Sequence, residues 1–215
     1  MKTTLSSISP QKSKPYRVAL VGGFCSGKSL AASLFQKLSI DTFDADDIAR
    51  ECVHPDSPTQ TLKMIVQSFG KEILRSDGTL NRKLMREIIF SDQEKRILLE
   101  DILHPIVFAA LFEKERRVKS PYIIFQIPAF RKKYAQYFDH ILAIDAPEHT
   151  RIARIILRDG ETKEGARKML KAQLSQKEML SLADTVIVNN GDEKNLEQQV
   201  EAFHSSLIAQ LSQEA

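Results

Sequence analysis

Apolar residues follow two rhythms along this chain. Short runs at residues 17–21 (RVALV), 40–43 (IDTF), 122–127 (YIIFQI), 140–144 (HILAI) and 185–188 (TVIV) are bounded by Gly, Pro, Asp or Asn. Runs of that length, rich in β-branched residues, predict strands, and the near-continuous ones predict strands covered on both faces. Between them apolar residues recur every three or four positions, which predicts helices over 29–38, 81–90, 92–103, 149–158 and 163–173. Leu196, Val200, Phe203 and Leu207 place a last helix against the sheet. Ser57-Pro58 reads as a cap followed by proline at a first helical position, opening a helix with Leu62, Ile65, Val66 and Phe69 inward and Gly70 as its stop. His104-Pro105 predicts a break, with a separate helix beyond it ending near Lys119. Ser175-Gln176-Lys177-Glu178 has the form of a capping box.

Strands alternating with helices predict an α/β domain with a five-stranded parallel sheet and right-handed crossovers. Residues 48–120 lack strand patterning and read as a helical insertion. Residues 1–14 (MKTTLSSISPQKSK) are polar and predict a loose tail, leaving 15–215 as one domain. A hydrophobic fraction of 42%, a charged fraction of 27% and a net charge of +3 are ordinary for a globular protein and too mild to argue for nucleic acid. Cys25 and Cys52 cannot form a disulfide framework or a four-cysteine zinc site, which suits a reducing cytosol. With no signal-peptide pattern and no run of membrane-spanning length, a cytoplasmic protein without membrane contact is expected.

Gly22-Gly23-Phe24-Cys25-Ser26-Gly27-Lys28-Ser29 fits the phosphate-loop pattern G-x-x-x-x-G-K-[ST], with a strand before it and a helix after it, the context the motif needs. Backbone N–H groups at a helix N-terminus favour phosphate, Lys28 reaches the outer phosphates, and the Ser29 hydroxyl suits Mg²⁺. Asp44 and Asp46, just past the second strand, stand where an open α/β sheet presents its active-site groups. One could take the proton of an acceptor hydroxyl and either could hold Mg²⁺ through water, whereas Asp46 or Asp47 could instead merely cap a helix from Ile48. Arg154 and Arg158, four apart on one helix face, could close over phosphates as a lid or form a solvated basic face. His104 reads as a cap or a buried polar group. No guanine-specificity motif (Asn-Lys-x-Asp) is present. Asp145 after a strand is a weak Walker B candidate, which would favour an ATPase.

Taken in this order, the motifs resemble those of the dephospho-coenzyme A kinases, a family of P-loop kinases. The resemblance rests on residues 22–29, on Asp44-Ala45-Asp46 with Ile48-Ala49-Arg50, on residues 77–82 (DGTLNR), on Leu103-His104-Pro105, on residues 154–159, on Gln173, and on Ala183-Asp184 leading into Asn189-Asn190-Gly191. It implies the three-layer P-loop kinase fold and phosphorylation of the ribose 3′-hydroxyl of dephospho-coenzyme A by ATP and Mg²⁺. Asp46 would be the base and Arg154 the lid cation within a lid of about 149–182. Leu30, Arg158 and Asn189 would join the loop in binding ATP. The insertion would hold the acceptor, with Arg50, Arg86 and His104 as candidate contacts. The chain departs from the family at Cys25, where glycine is usual, at Val21, where threonine is usual, and at Lys132, where an acid is usual. A side chain at residue 25 is tolerable only where the backbone there does not require glycine, and a thiol at a helix N-terminus, where the thiolate is favoured, would make the loop sensitive to oxidation. A monomer or small homo-oligomer is expected. The alternatives are an ATP-binding regulator or inactive paralogue of the same fold, and an ATPase motor.

Overall fold

Strands β1 (Tyr16–Gly22), β2 (Asp41–Asp44), β3 (Tyr122–Gln126), β4 (His140–Asp145) and β5 (Thr185–Val188) form one parallel sheet in the order β2-β3-β1-β4-β5. The structure is a computed structural model describing residues 15–128, 130–171 and 176–214. The unbroken apolar runs lie at the centre, where every residue of β3 is buried. Side chains alternate between faces. Val18, Leu20, Ile124 and Leu142 meet Phe35 of α1 (Lys28–Lys37) and Leu196 and Val200 of α9 (Glu193–Glu214). Ala19, Val21, Ile123 and Phe125 meet Ile48 of α2 (Ala45–Cys52) and Phe108 and Leu111 of α5 (Gln93–Glu115) on the opposite face. The result is three layers, each large side chain removed from water contributing roughly 1.5–3 kcal/mol.

The block after β2 is helical. α3 (Thr61–Phe69), α4 (Arg82–Ser91) and the first half of α5 enclose a separate small core of Val53, Ile65, Ile73, Met85 and Leu99. Three boundaries differ from the sequence pattern. α5 runs straight through His104-Pro105. Pro105 leaves the Asp101 carbonyl without its helical donor, but Leu99 anchors the helix in the small core while Val107, Phe108 and Leu111 anchor it in the main one. Burial at both ends outweighs the lost bond. The helix expected from Ser57-Pro58 starts instead at Thr61, after Gln60 in a left-handed conformation (φ 54°). The Ser57 hydroxyl is engaged with Thr59 Oγ1 at 3.0 Å rather than with a helix amide. α2 starts at Ala45, because Asp44 caps it: its carboxylate accepts from the Asp46 N–H at 2.8 Å. Neither Asp46 nor Asp47 is the cap.

Between β4 and β5 lie α6 (Glu148–Asp159), α7 (Lys163–Lys171) and α8 (Gln176–Leu180). Ile152, Ile155 and Ala166 pack together, with Phe24 and Cys25 against them. The tail, Gln173 and Ser175 lie outside the described residues. At the far edge of the sheet, β5 exposes Val186 and Val188. The Gln199 side chain of α9 accepts from the Val188 N–H at 3.1 Å and donates to its carbonyl at 2.9 Å. Among the described residues no helix is long and apolar enough to cross a membrane.

Candidate active site

The phosphate-loop residues join β1 to α1 at the carboxyl edge of the sheet and line a cleft of about 700 Å³. Gly27 precedes α1 with φ 99°, and no side chain caps the helix, so its first N–H groups have no side-chain acceptor at this terminus. A Cβ on Gly27 would fall 2.0 Å from Asn189 Nδ2, so a larger residue would have to displace that amide from the Ser26 carbonyl. The Ser26 N–H donates to the Gly23 carbonyl at 3.0 Å and closes the turn. Cys25 lies at φ 58°, inside the left-handed region that favours glycine, so the condition for an easily tolerated side chain is not met. A non-glycine residue there costs on the order of 1–2 kcal/mol. The thiolate expectation also fails: burial pushes the Cys25 thiol up, and the Arg158 charge opposes this only in part.

Lys28 opens α1 and points into the same cleft as Asp44 and Asp46, while Ser29 and Leu30 line its floor, the serine exposed. Burial pulls the Lys28 ammonium below its usual range, opposed by the charges of Asp46 and then Asp44. Burial and the Asp44 charge push the Asp46 carboxyl above the usual aspartate range, against Lys28 and Arg50. Asp46 is nevertheless exposed in the open cleft, so its desolvation is partial. A lysine and an acid both perturbed in one cleft, beside a second acid, are the pattern of a reactive site. Among the described residues no cluster of three His, Cys, Asp or Glu side chains could hold a metal. The Ser29 hydroxyl and Asp44 carboxylate are hard oxygen donors of the kind Mg²⁺ prefers, with phosphates and water completing such a shell.

The arginines of α6 reach the loop. Arg154 donates through Nη1 to the carbonyls of Cys25 (3.1 Å) and Ser26 (3.2 Å) and through Nη2 to Asn189 Oδ1 (3.0 Å). Asn189, 2% exposed, donates to the Ser26 carbonyl at 2.8 Å. Arg158 pairs with Asp159 and lies over the Phe24 ring, 4.6 Å from its centroid. Arg151, which the sequence pattern did not single out, is 5% exposed and donates through Nε to the Phe24 carbonyl at 2.9 Å. Pro128 and Leu157 also line the cleft, the leucine 89% exposed. No motif marks Arg151 or Leu157; only spatial proximity to the loop does. Asp145 receives the Ala146 N–H at the end of β4 and is not among the residues lining the cleft.

The candidate acceptor residues lie elsewhere. None of Arg50, Arg86 and His104 lines the 700 Å³ cleft. Arg50 pairs with Asp47 on the exposed side of α2, and Arg86 is exposed on α4. His104 is half-buried and bonded to the Tyr134 hydroxyl, with burial lowering its pKa against the nearby Glu100 charge. After β3, Lys132 begins a 3-10 turn, and the preceding Arg131 pairs with Glu100 of α5 at 2.7 Å.

A parallel sheet of this order with a glycine loop leading into a helix, facing acids and held by arginines of α6, defines a P-loop kinase fold. The dephospho-CoA kinase family model matches residues 16–195, and the chain belongs to that family. The dephospho-CoA kinase of Acinetobacter baylyi is 40% identical over 192 residues, covering 89% of this chain and 97% of that protein. That of Aeromonas hydrophila is 37% identical over 202 residues, covering 93% and 98%. Among solved structures, TT1252 from Thermus thermophilus superposes with a TM-score of 0.76 at 27% identity, over 91% of this chain and 99% of that one. The dephospho-CoA kinase from Campylobacter jejuni does so with a TM-score of 0.64 at 23% identity, over 89% and 96%, a likeness of fold.

Proposed function

We propose that this chain transfers the γ-phosphoryl group of ATP to the ribose 3′-hydroxyl of dephospho-coenzyme A. The observation that carries this reading is the meeting of Lys28, Asp44 and Asp46 in the cleft beneath the phosphate loop, in a chain of this family. The loop amides and Lys28 hold the outer phosphates of ATP, and Leu30, Arg158 and Asn189 border the nucleotide. The Asp46 carboxylate takes the proton as the acceptor oxygen bonds to the γ-phosphorus, while the bond to the bridging oxygen breaks and ADP departs with its electron pair. A carboxyl held above the usual aspartate range is a stronger base than a free aspartate, which suits that transfer. Asp44 caps α2 and holds the acidic pair in place. Arg154 already reaches the loop and supplies a cation to the transferred group. Ser29, with Asp44 through water, would hold Mg²⁺, which when bound neutralises charge on the outer phosphates. Arg50, Arg86 and His104 belong to the helical side and contact the acceptor once it bridges from the cleft toward the insertion.

The test is a transfer assay with ATP, Mg²⁺ and dephospho-coenzyme A, comparing the wild type with Asp46→Asn. Product carrying a 3′-phosphate, reduced roughly 10²–10⁴-fold in the variant while ATP still binds, is the expected result. Tight ATP binding with no product at any acceptor concentration would overturn the reading and leave an ATP-binding regulator.

A further inference from the structure

Three carbonyls in succession, those of Phe24, Cys25 and Ser26, are taken up by side chains of α6 and by Asn189. Arg151 Nε holds the first at 2.9 Å, Arg154 Nη1 the second at 3.1 Å, and Asn189 Nδ2 with Arg154 the third. Across a trans peptide the carbonyl and the following N–H point in opposite directions. Holding the Phe24 and Ser26 carbonyls on these side chains therefore turns the N–H groups of Cys25 and Gly27 away from them. The Cys25 carbonyl, held the same way, sets the Ser26 N–H on the Gly23 carbonyl.

Two of these three holders also lie at positions assigned to the nucleotide. Arg151 does not. It is buried one turn before Arg154, and its guanidinium fills the space beside Gly23, where a Cβ would fall 2.7 Å from Nη2. A buried guanidinium has lost its hydration and needs its hydrogen bonds. The Phe24 carbonyl is one of its acceptors, on the peptide that enters Cys25. That residue is the only non-glycine among the loop positions with positive φ, so its backbone would relax to an ordinary conformation unless both its peptides were held.

We propose that Arg151 is a positioning residue: by fixing the Phe24–Cys25 peptide it holds Cys25 in its left-handed conformation and keeps the loop in its phosphate-binding shape. It touches no phosphate, and its need is set by the side chain at residue 25. The inference rests on the reading of this cleft as the ATP phosphate site.

Glycine at position 25 adopts the left-handed conformation without a clamp, so Arg151 and Cys25 should be coupled. Titration of ATP·Mg²⁺ into wild type, Arg151→Gln, Cys25→Gly and the double variant measures this. Arg151→Gln is expected to raise Kd for ATP about tenfold, the size of one lost charge-assisted bond, but no more than about threefold in the Cys25→Gly background. Steady-state assays of the same proteins should show the change in KM for ATP, with KM for dephospho-coenzyme A unaltered. An equal effect in both backgrounds, or none, overturns the proposal, and an equal effect that Arg151→Lys abolishes identifies a direct phosphate contact instead. Should Arg151→Gln unfold, Arg151→Lys replaces it in the cycle, where a loss of ATP affinity rescued by Cys25→Gly supports the proposal and an unrescued loss overturns it. A wild type that binds no ATP removes the underlying reading rather than the coupling.

Discussion

At the scale of single residues, the cleft concentrates groups whose charges are held away from their comfort. Asp46 can accept a proton only when ionised, and burial together with Asp44 holds its carboxyl above the usual range. The acid limb of kcat/KM is therefore expected above the pH at which a free aspartate titrates, and Asp44→Asn should move that limb of the residual activity downward. A pH–rate profile of both proteins checks this, and a limb unmoved by the substitution would deny the coupling. The sign for stability is the reverse of that for rate. A carboxyl raised in the folded state binds protons there that the unfolded chain has released, so its contribution to stability falls as pH rises from the ordinary aspartate range through the raised value. The form that works is the form the fold favours less.

At the scale of elements, the sequence revealed what burial dictates and missed what geometry in space dictates. The sheet was legible because each central strand is apolar on both faces, and the phosphate loop because its glycines and lysine stand at fixed spacing beside a strand and a helix. Asp44 as the cap of α2 was not, since Asp44, Asp46 and Asp47 are equally good caps until the chain direction after β2 is known. Arg151 was not, since a lone arginine on a basic helix looks like any other until Phe24 lies beside it. Pro105 misled, because proline normally stops a helix, and only the two separate cores explain why α5 continues. Pro105 is itself exposed, so its replacement by alanine removes little packing and returns a donor to the Asp101 carbonyl. Pro105→Ala is expected to raise stability by about 1–3 kcal/mol in denaturant melts. A loss instead would mean that the proline shapes contacts on which the helix depends.

For the whole molecule, the important division is between the main core, which carries the phosphate loop, and the small core of the helical block. α5 belongs to both. Ile65 is fully buried in the small core, far in packing terms from the loop. Ile65→Ala is expected to lower stability by about 2–5 kcal/mol. Because we propose that the block contacts the acceptor, the same change should raise KM for dephospho-coenzyme A while leaving Kd for ATP within about twofold, beyond the range where distant sites couple strongly. Calorimetry and a two-substrate kinetic analysis read the two effects separately. Equal loss for both substrates would mean that the two cores work as one.

The bond between Gln199 and Val188 carries a consequence for life in a crowded solution. A parallel sheet that ends in an exposed, valine-bearing strand offers its unpaired backbone to any extended chain that passes, the route by which soluble proteins template fibres. Here an amide side chain from the last helix occupies both backbone groups of the final residue on that border. It imitates one residue of the strand that would otherwise be added, so at that point the border is already paired.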